Sequence, residues 1–109
     1  MVIIGAGPGG YEAASVAAAG GVEVTVVEET GIGGAAVLTD CVPSKTLIAT
    51  AEVTSTLRRA AELGLRHTET FEVDLDAVNS RVRQLAQAQS DDISRGLERK
   101  GVRLISGRA

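Results

Sequence analysis

The sequence predicts an α/β fold, a parallel sheet with flanking helices. Three observations carry this. The apolar run Val2–Ile4 meets a glycine turn that opens into the alanine-rich segment Tyr11–Ala19. A second apolar, β-branched run, Val22–Val27, follows and ends on an acid, Glu28. A third run, Val102–Ser106, comes after a long amphipathic stretch. Strand, helix, strand, a long connection, helix and strand is the order of a parallel sheet with right-handed crossovers.

The glycine turn comes first. Gly5, Gly7 and Gly10 form the pattern G-x-G-x-x-G between a strand and a helix. Gly5 lets the chain leave the strand sharply, Gly7 lets a pyrophosphate approach backbone, and Gly10 lets the helix pack tightly on the strand. Free N–H groups at the helix start favour an anion there. Pro8, inside the turn, is grouped with these glycines as a cofactor-binding residue. Glu28 lies 18 residues beyond Gly10, close to the spacing of about 20 expected for an acid that binds ribose. A carboxylate there can accept from both ribose hydroxyls and would repel a 2′-phosphate. The expectation is a Rossmann-like domain holding FAD or NAD rather than NADP. The competing reading is a glycine-rich turn in an ordinary α/β unit, with Glu28 merely solvated.

Gly20-Gly21 caps the first helix. Residues 28–34 form a loop at the carboxyl end of the second strand, where ligands sit in open α/β sheets. Pro43 and Ser44 start the next helix, with Leu47, Ala51, Thr54, Leu57 and Ala61 at helical spacing and Gly64 as its end. Ser44-Lys45-Thr46 is no phosphate-binding loop, because no glycine precedes the lysine. Residues 65–73 read as a connection, with His67 solvated among polar neighbours. A long helix follows, its face marked by Leu75, Val78, Val82, Leu85, Gln89, Ile93 and Leu97 and apolar except at Gln89. Asp74 caps its start and Gly101 its end. Asp91, Asp92, Arg95, Arg99 and Lys100 make its solvated face.

Composition sets bounds. The 109 residues suffice for one small domain, residues 1–109. With 44% hydrophobic and 23% charged residues, the chain reads as globular. The net charge of −3 and the absence of a Lys/Arg cluster argue against nucleic acid and anionic membranes as partners. One cysteine excludes an internal disulfide and a multi-cysteine metal site. The apolar start lacks a basic leader, and no run is long enough to span a membrane, so the expected compartment is the cytoplasm. With aromatics at 2%, the core must be built from Val, Ile, Leu and Ala. So few strands would leave a parallel sheet incompletely covered, and the chain is expected to be the N-terminal part of a longer protein.

Gly33-Gly34-Ala35-Ala36-Val37-Leu38-Thr39-Asp40-Cys41-Val42-Pro43-Ser44-Lys45 narrows the function. It resembles the flavin-side redox motif of the pyridine nucleotide–disulfide oxidoreductases, which include glutathione reductase and dihydrolipoamide dehydrogenase. Their pattern is two glycines, two cysteines separated by four residues, then x-Pro-Ser-Lys. Gly33, Gly34, Cys41, Pro43, Ser44 and Lys45 match it in register, and the resemblance covers essentially the whole chain. It implies a Rossmann-like FAD-binding domain, with a NAD domain and a C-terminal dimerisation domain beyond it. One position departs: Ala36 stands where the first cysteine belongs. A disulfide needs two sulfurs, so a dithiol relay is excluded. The variant motif is similar to that of actinobacterial flavoproteins labelled dihydrolipoamide dehydrogenase but acting as NAD(P)H quinone reductases.

The resemblance implies that hydride passes from NAD(P)H to FAD and electrons go on to a quinone-type acceptor, in a homodimer. It assigns Gly5, Gly7, Pro8 and Gly10 to the pyrophosphate, Glu28 to the ribose, and Gly33, Gly34 and Lys45 to the flavin side. The candidate catalytic residues are Cys41 and Lys45. The lysine stabilises charge on the reduced ring; the thiol either contacts the flavin without relaying electrons or is a small packed residue. Dihydrolipoamide dehydrogenase, a plain NAD-dependent dehydrogenase and a non-catalytic nucleotide-binding module are the alternatives.

Overall fold

The computed structural model describes residues 1–66 and 71–109. Three parallel strands, β1 (Val2–Ile4), β2 (Thr25–Glu28) and β3 (Arg103–Ser106), form a sheet in that spatial order. Helix α1 (Pro8–Ala19) links β1 to β2. A short helix α2 (Gly34–Leu38), then α3 (Cys41–Arg58), a 3₁₀ turn (Ala60–Leu63) and α4 (Leu75–Arg99) lead to β3. This is the α/β architecture the sequence predicts.

The register sorts the two sheet faces. Ile3, Val26 and Leu104 lie in one row and turn inward. With Val24, Ala6, Ala14, Leu97 and Val102 they form the core beneath α1 and α4. Ile4, Val27 and Ile105 form the adjacent row on the opposite face. There Ile4 is 73% exposed and Ile105 39%. Among the described residues no strand pairs with the outer edge of β1.

Both crossovers end in the same device. Gly21 adopts φ +82°, its N–H donates to Ala18 O, and the Val22 N–H donates to Ala17 O. Gly101 adopts φ +79°, its N–H donates to Glu98 O, and the Val102 N–H donates to Leu97 O. These paired bonds close the last helical turn. They also move the strand starts: Val22 and Val102 have committed their N–H groups to a helix end. The ladders therefore begin at Thr25 and Arg103, later than the apolar runs suggest.

The helices differ from expectation in three places. The 28–34 loop runs directly into α2, a helix the sequence does not signal. Helix α3 begins at Cys41, so Pro43 occupies its first turn, where a missing N–H costs no helical bond. Its expected stripe faces α4 only loosely: Leu47, Ala51 and Thr54 line a hollow towards α4, with Leu47 45% and Leu57 43% exposed. Thr46, Thr50 and Thr54 are half-buried on α3, and Thr50 and Thr54 line the hollows towards α4. Each of these hydroxyls donates to the carbonyl four residues back, which leaves its methyl free to pack.

Helix α4 keeps part of its expected face, with Leu97 buried and Val78, Val82 and Ile93 half-buried. Its buried residues are Ala86, Ser90 and Leu97, whereas Leu75, Leu85 and Gln89 of the expected face are exposed. Its charged face is as expected except at Lys100, whose Nζ donates to Ser15 Oγ on α1. The exposed Arg95–Asp92 pair at 3.7 Å contributes little. Residues 65, 66 and 71–73 carry neither helix nor strand, and His67 lies outside the described residues.

Asp74 caps α4 as predicted, its carboxylate accepting from the Ala77 N–H at 2.9 Å. Asp74→Ala should lower unfolding free energy by about 1 kcal/mol in urea titrations. Gly10→Ala should cost more, about 2–3 kcal/mol, because its Cβ would stand 1.9 Å from the Gly5 carbonyl oxygen.

Candidate functional site

The glycine turn is built by strand and helix meeting at close quarters. Gly5 leaves β1 at φ +93°, a conformation that side chains other than hydrogen resist. Its N–H still bonds Val27 O at 2.8 Å, so the turn starts from the sheet itself. Gly7 caps α1 without a side-chain bond, Pro8 is its first residue, and no acid lies in the first turn. The positive end of the helix dipole therefore has no counter-charge from α1 itself. Open space lies where a Gly7 Cβ would stand.

Glu28 faces this turn from the end of β2. One carboxylate oxygen, Oε2, accepts from the Ala6 N–H at 2.7 Å. The other, Oε1, accepts from the Thr30 N–H at 2.8 Å and the Thr30 hydroxyl at 2.9 Å. The Ala6 amide, followed by the Thr30 amide, pulls the carboxyl pKa from its ordinary 4.5 to about 2. A carboxylate has about four acceptor positions, so most of its capacity already serves the fold. The sequence reading leaves the acid wholly to ribose; the structure shows it clasping two loops.

The loop after β2 closes on the same turn. The Gly33 N–H donates to Ala6 O at 2.8 Å. A Cβ on Gly34 would stand 3.0 Å from Gly7 Cα, so these two backbones pass almost in contact. Gly33 adopts φ +99°, and a Cβ there would strike Val37 of α2 at 2.6 Å. On the far side, the buried Ser90 of α4 donates its hydroxyl to Ile32 O at 2.6 Å. Hollows of about 270 and 290 Å³ flank Glu28 at the carboxyl ends of the strands. Leu104–Ser106 line the first and Gly107–Ala109 the second.

The structure thus brings together Gly5, Gly7, Pro8, Gly10, Glu28, Gly33 and Gly34. Cys41 and Lys45 sit apart from them on α3. Their spacing of four places them on one helix face, and both are exposed. Cys41 is a free thiol. Among the described residues neither side chain shares a hydrogen bond or ion pair with the turn. Larger hollows, about 440 and 370 Å³, lie between α3 and α4 and contain no predicted site residue. Sequence reasoning misses Ala6, Thr30, Ser90 and Ser106–Ala109. Only Thr30 carried a local signal, a hydroxyl two residues after the acid.

The depressed pKa gives a pH dependence with a definite sign. The folded carboxyl titrates near 2 and the unfolded one near 4.5. The stabilisation is complete above about pH 4.5 and is lost as pH falls towards about 2. Urea midpoints for wild type and Glu28→Gln should therefore differ most at neutral pH and converge near pH 2.

A family profile described as pyridine nucleotide-disulphide oxidoreductase matches residues 1–109. The chain is 50% identical to a protein named NAD(P)H dehydrogenase (quinone) from Mycobacterium tuberculosis, with 99% of this chain and 23% of the relative covered. It is 36% identical to a dihydrolipoyl dehydrogenase from Chlamydia muridarum, with 98% and 23% covered. The crystal structure of LpdA from Mycobacterium tuberculosis superposes with a TM-score of 0.89 at 49% identity, covering 98% of this chain and 23% of that one. The chain spans about a quarter of the length of these relatives. On its glycine turn, its strand-end acid and a profile match along its full length, the chain belongs to the pyridine nucleotide-disulphide oxidoreductase family.

Proposed function

We propose that residues 1–109 form the FAD-binding part of a flavoprotein that passes electrons from NAD(P)H to a quinone-type acceptor without a redox-active disulfide. The observation that carries this is Ala36. It stands at the first-cysteine position of an otherwise matching motif, and Cys41 is the only sulfur-bearing partner left there. The quinone-reductase name of the 50% identical relative supports the same reading. The name of the 36% identical relative favours lipoamide chemistry, which a single cysteine cannot relay.

The residues present fit the cofactor. The uncapped start of α1 and the open space at Gly7 suit a pyrophosphate. Glu28 retains acceptor capacity for a ribose hydroxyl beside the two flanking hollows. Gly33 and Gly34 hold the adjoining loop close, without side chains in the way. Bound FAD would supply the two-electron chemistry between nicotinamide and quinone. Lys45, exposed on α3, would place a cation where negative charge develops on the reduced ring. Cys41 would contact the flavin side without relaying electrons. No described helix is long and apolar enough to cross a membrane. We place the protein in the cytoplasm as a homodimer, with its nicotinamide-binding and dimerisation domains outside this stretch.

The test is an assay of the native full-length protein. It should purify with a visible flavin spectrum, oxidise NAD(P)H with a quinone and fail to turn over lipoamide. Robust lipoamide turnover would overturn the proposal. Cys41→Ser should keep quinone reduction within about threefold, whereas Lys45→Met should lower kcat roughly ten- to a hundredfold. Residues 1–109 expressed alone should oxidise no NAD(P)H.

A further inference from the structure

The loop between β2 and α2 has an unusual amount of backbone freedom for a segment beside a binding site. Gly31, Gly33 and Gly34 are three of the four residues at its end and the start of α2, 31–34. All three adopt positive φ, +140°, +99° and +59°. Glycine gains these conformations at the cost of chain entropy, so such a loop needs fixing from outside. Two bonds come from backbone: Gly33 N–H to Ala6 O at 2.8 Å and Gly34 N–H to Gly31 O at 3.1 Å. The second is internal to the loop and anchors it to nothing.

The Glu28 carboxylate holds the loop's start at Thr30, and a further bond, beyond Gly31, comes from a side chain 58 residues away. Ser90 Oγ donates to Ile32 O at 2.6 Å. Ser90 is 6% exposed and is the only buried polar residue among those described. It interrupts the buried stripe of α4 between Ala86 and Leu97, at a position where an apolar residue would otherwise serve. Its own carbonyl is engaged separately, accepting from Ser94 Oγ at 2.9 Å. Ile32 packs its side chain on the core, so the hydroxyl holds the one peptide in the loop with a side chain to bury.

We infer that Ser90 is a positioning residue for the cofactor site. It clamps the Ile32 carbonyl to α4, and so holds Gly33 and Gly34 against the glycine turn at Ala6 and Gly7. Without the hydroxyl the Ile32 carbonyl is left short of a donor in a partly buried place, and the loop can drift from the turn. The deduction rests on the FAD reading above for its functional consequence, but its mechanical part does not.

The experiment compares Ser90→Ala, Ser90→Thr and Ser94→Ala in the native full-length protein. Alanine is a good helix former and removes a single oxygen, so Ser90→Ala should fold. FAD should bind Ser90→Ala roughly tenfold more weakly, the loss of about one hydrogen bond. The visible circular dichroism of the bound flavin should change, and threonine should restore both. Ser94→Ala, which removes a hydroxyl without touching the loop, should behave as wild type. Hydrogen exchange at residues 31–34 of the flavin-free protein should be about tenfold faster in Ser90→Ala. Wild-type flavin affinity or unchanged exchange in Ser90→Ala would overturn the inference. If wild type binds no FAD while exchange still accelerates, the clamp stands and the cofactor reading falls.

Discussion

The peptide groups of Ala6 hold the site together. This buried residue gives its N–H to Glu28 Oε2 and receives the Gly33 N–H on its carbonyl. Two segments far apart in sequence, the turn after β1 and the stretch Glu28–Gly33, therefore meet on two adjacent peptide bonds. The bonds also fix where β1 stops and where the loop after β2 must lie. A side chain cannot do this work as well, because its rotamers would loosen the connection. The acid is held ionised by the same contact, which makes the charge at the strand end a product of the fold.

The split of duties at Glu28 follows. On the proposed FAD reading, a carboxylate aimed at a ribose must be oriented before the ribose arrives, or binding loses the entropy of ordering it. Ala6 and Thr30 provide that orientation. The helix end at Gly7–Pro8 and the carboxylate then present opposite charge character a short distance apart along one turn. A dinucleotide, with an anionic centre and a neutral polyhydroxyl sugar, matches that pair of surfaces in a way that a plain phosphate does not.

Much of this was legible before folding. The glycine spacing, the acid at the strand end and the Gly33–Lys45 motif are local patterns with local causes. They predicted the layer order, the parallel strands and the residues around the turn. What escaped was set by contacts across the chain. The strand starts moved because Val22 and Val102 close helices from outside them. The buried faces of α3 and α4 kept Thr54, Val82, Ile93 and Leu97 but took in satisfied threonines and small Ala86 and Ser90 in place of Leu47 and Leu85. Helix α2 had no advance sign, since its start depends on Gly33 and Gly34 lying against Gly7 and Val37. Ser90 read as an ordinary helix residue until its partner at Ile32 was in view.

The row of exposed Ile4 and Ile105 around half-buried Val27 has a consequence for biogenesis. An apolar strip beside an unpaired strand edge is a template for other chains. While such a stretch stands uncovered on the ribosome, it competes between completing its own fold and pairing with a neighbouring nascent chain. Chaperone demand during synthesis, and concentration dependence during refolding, would then be governed by this strip. The polar, well-bonded glycine turn would have little part in either.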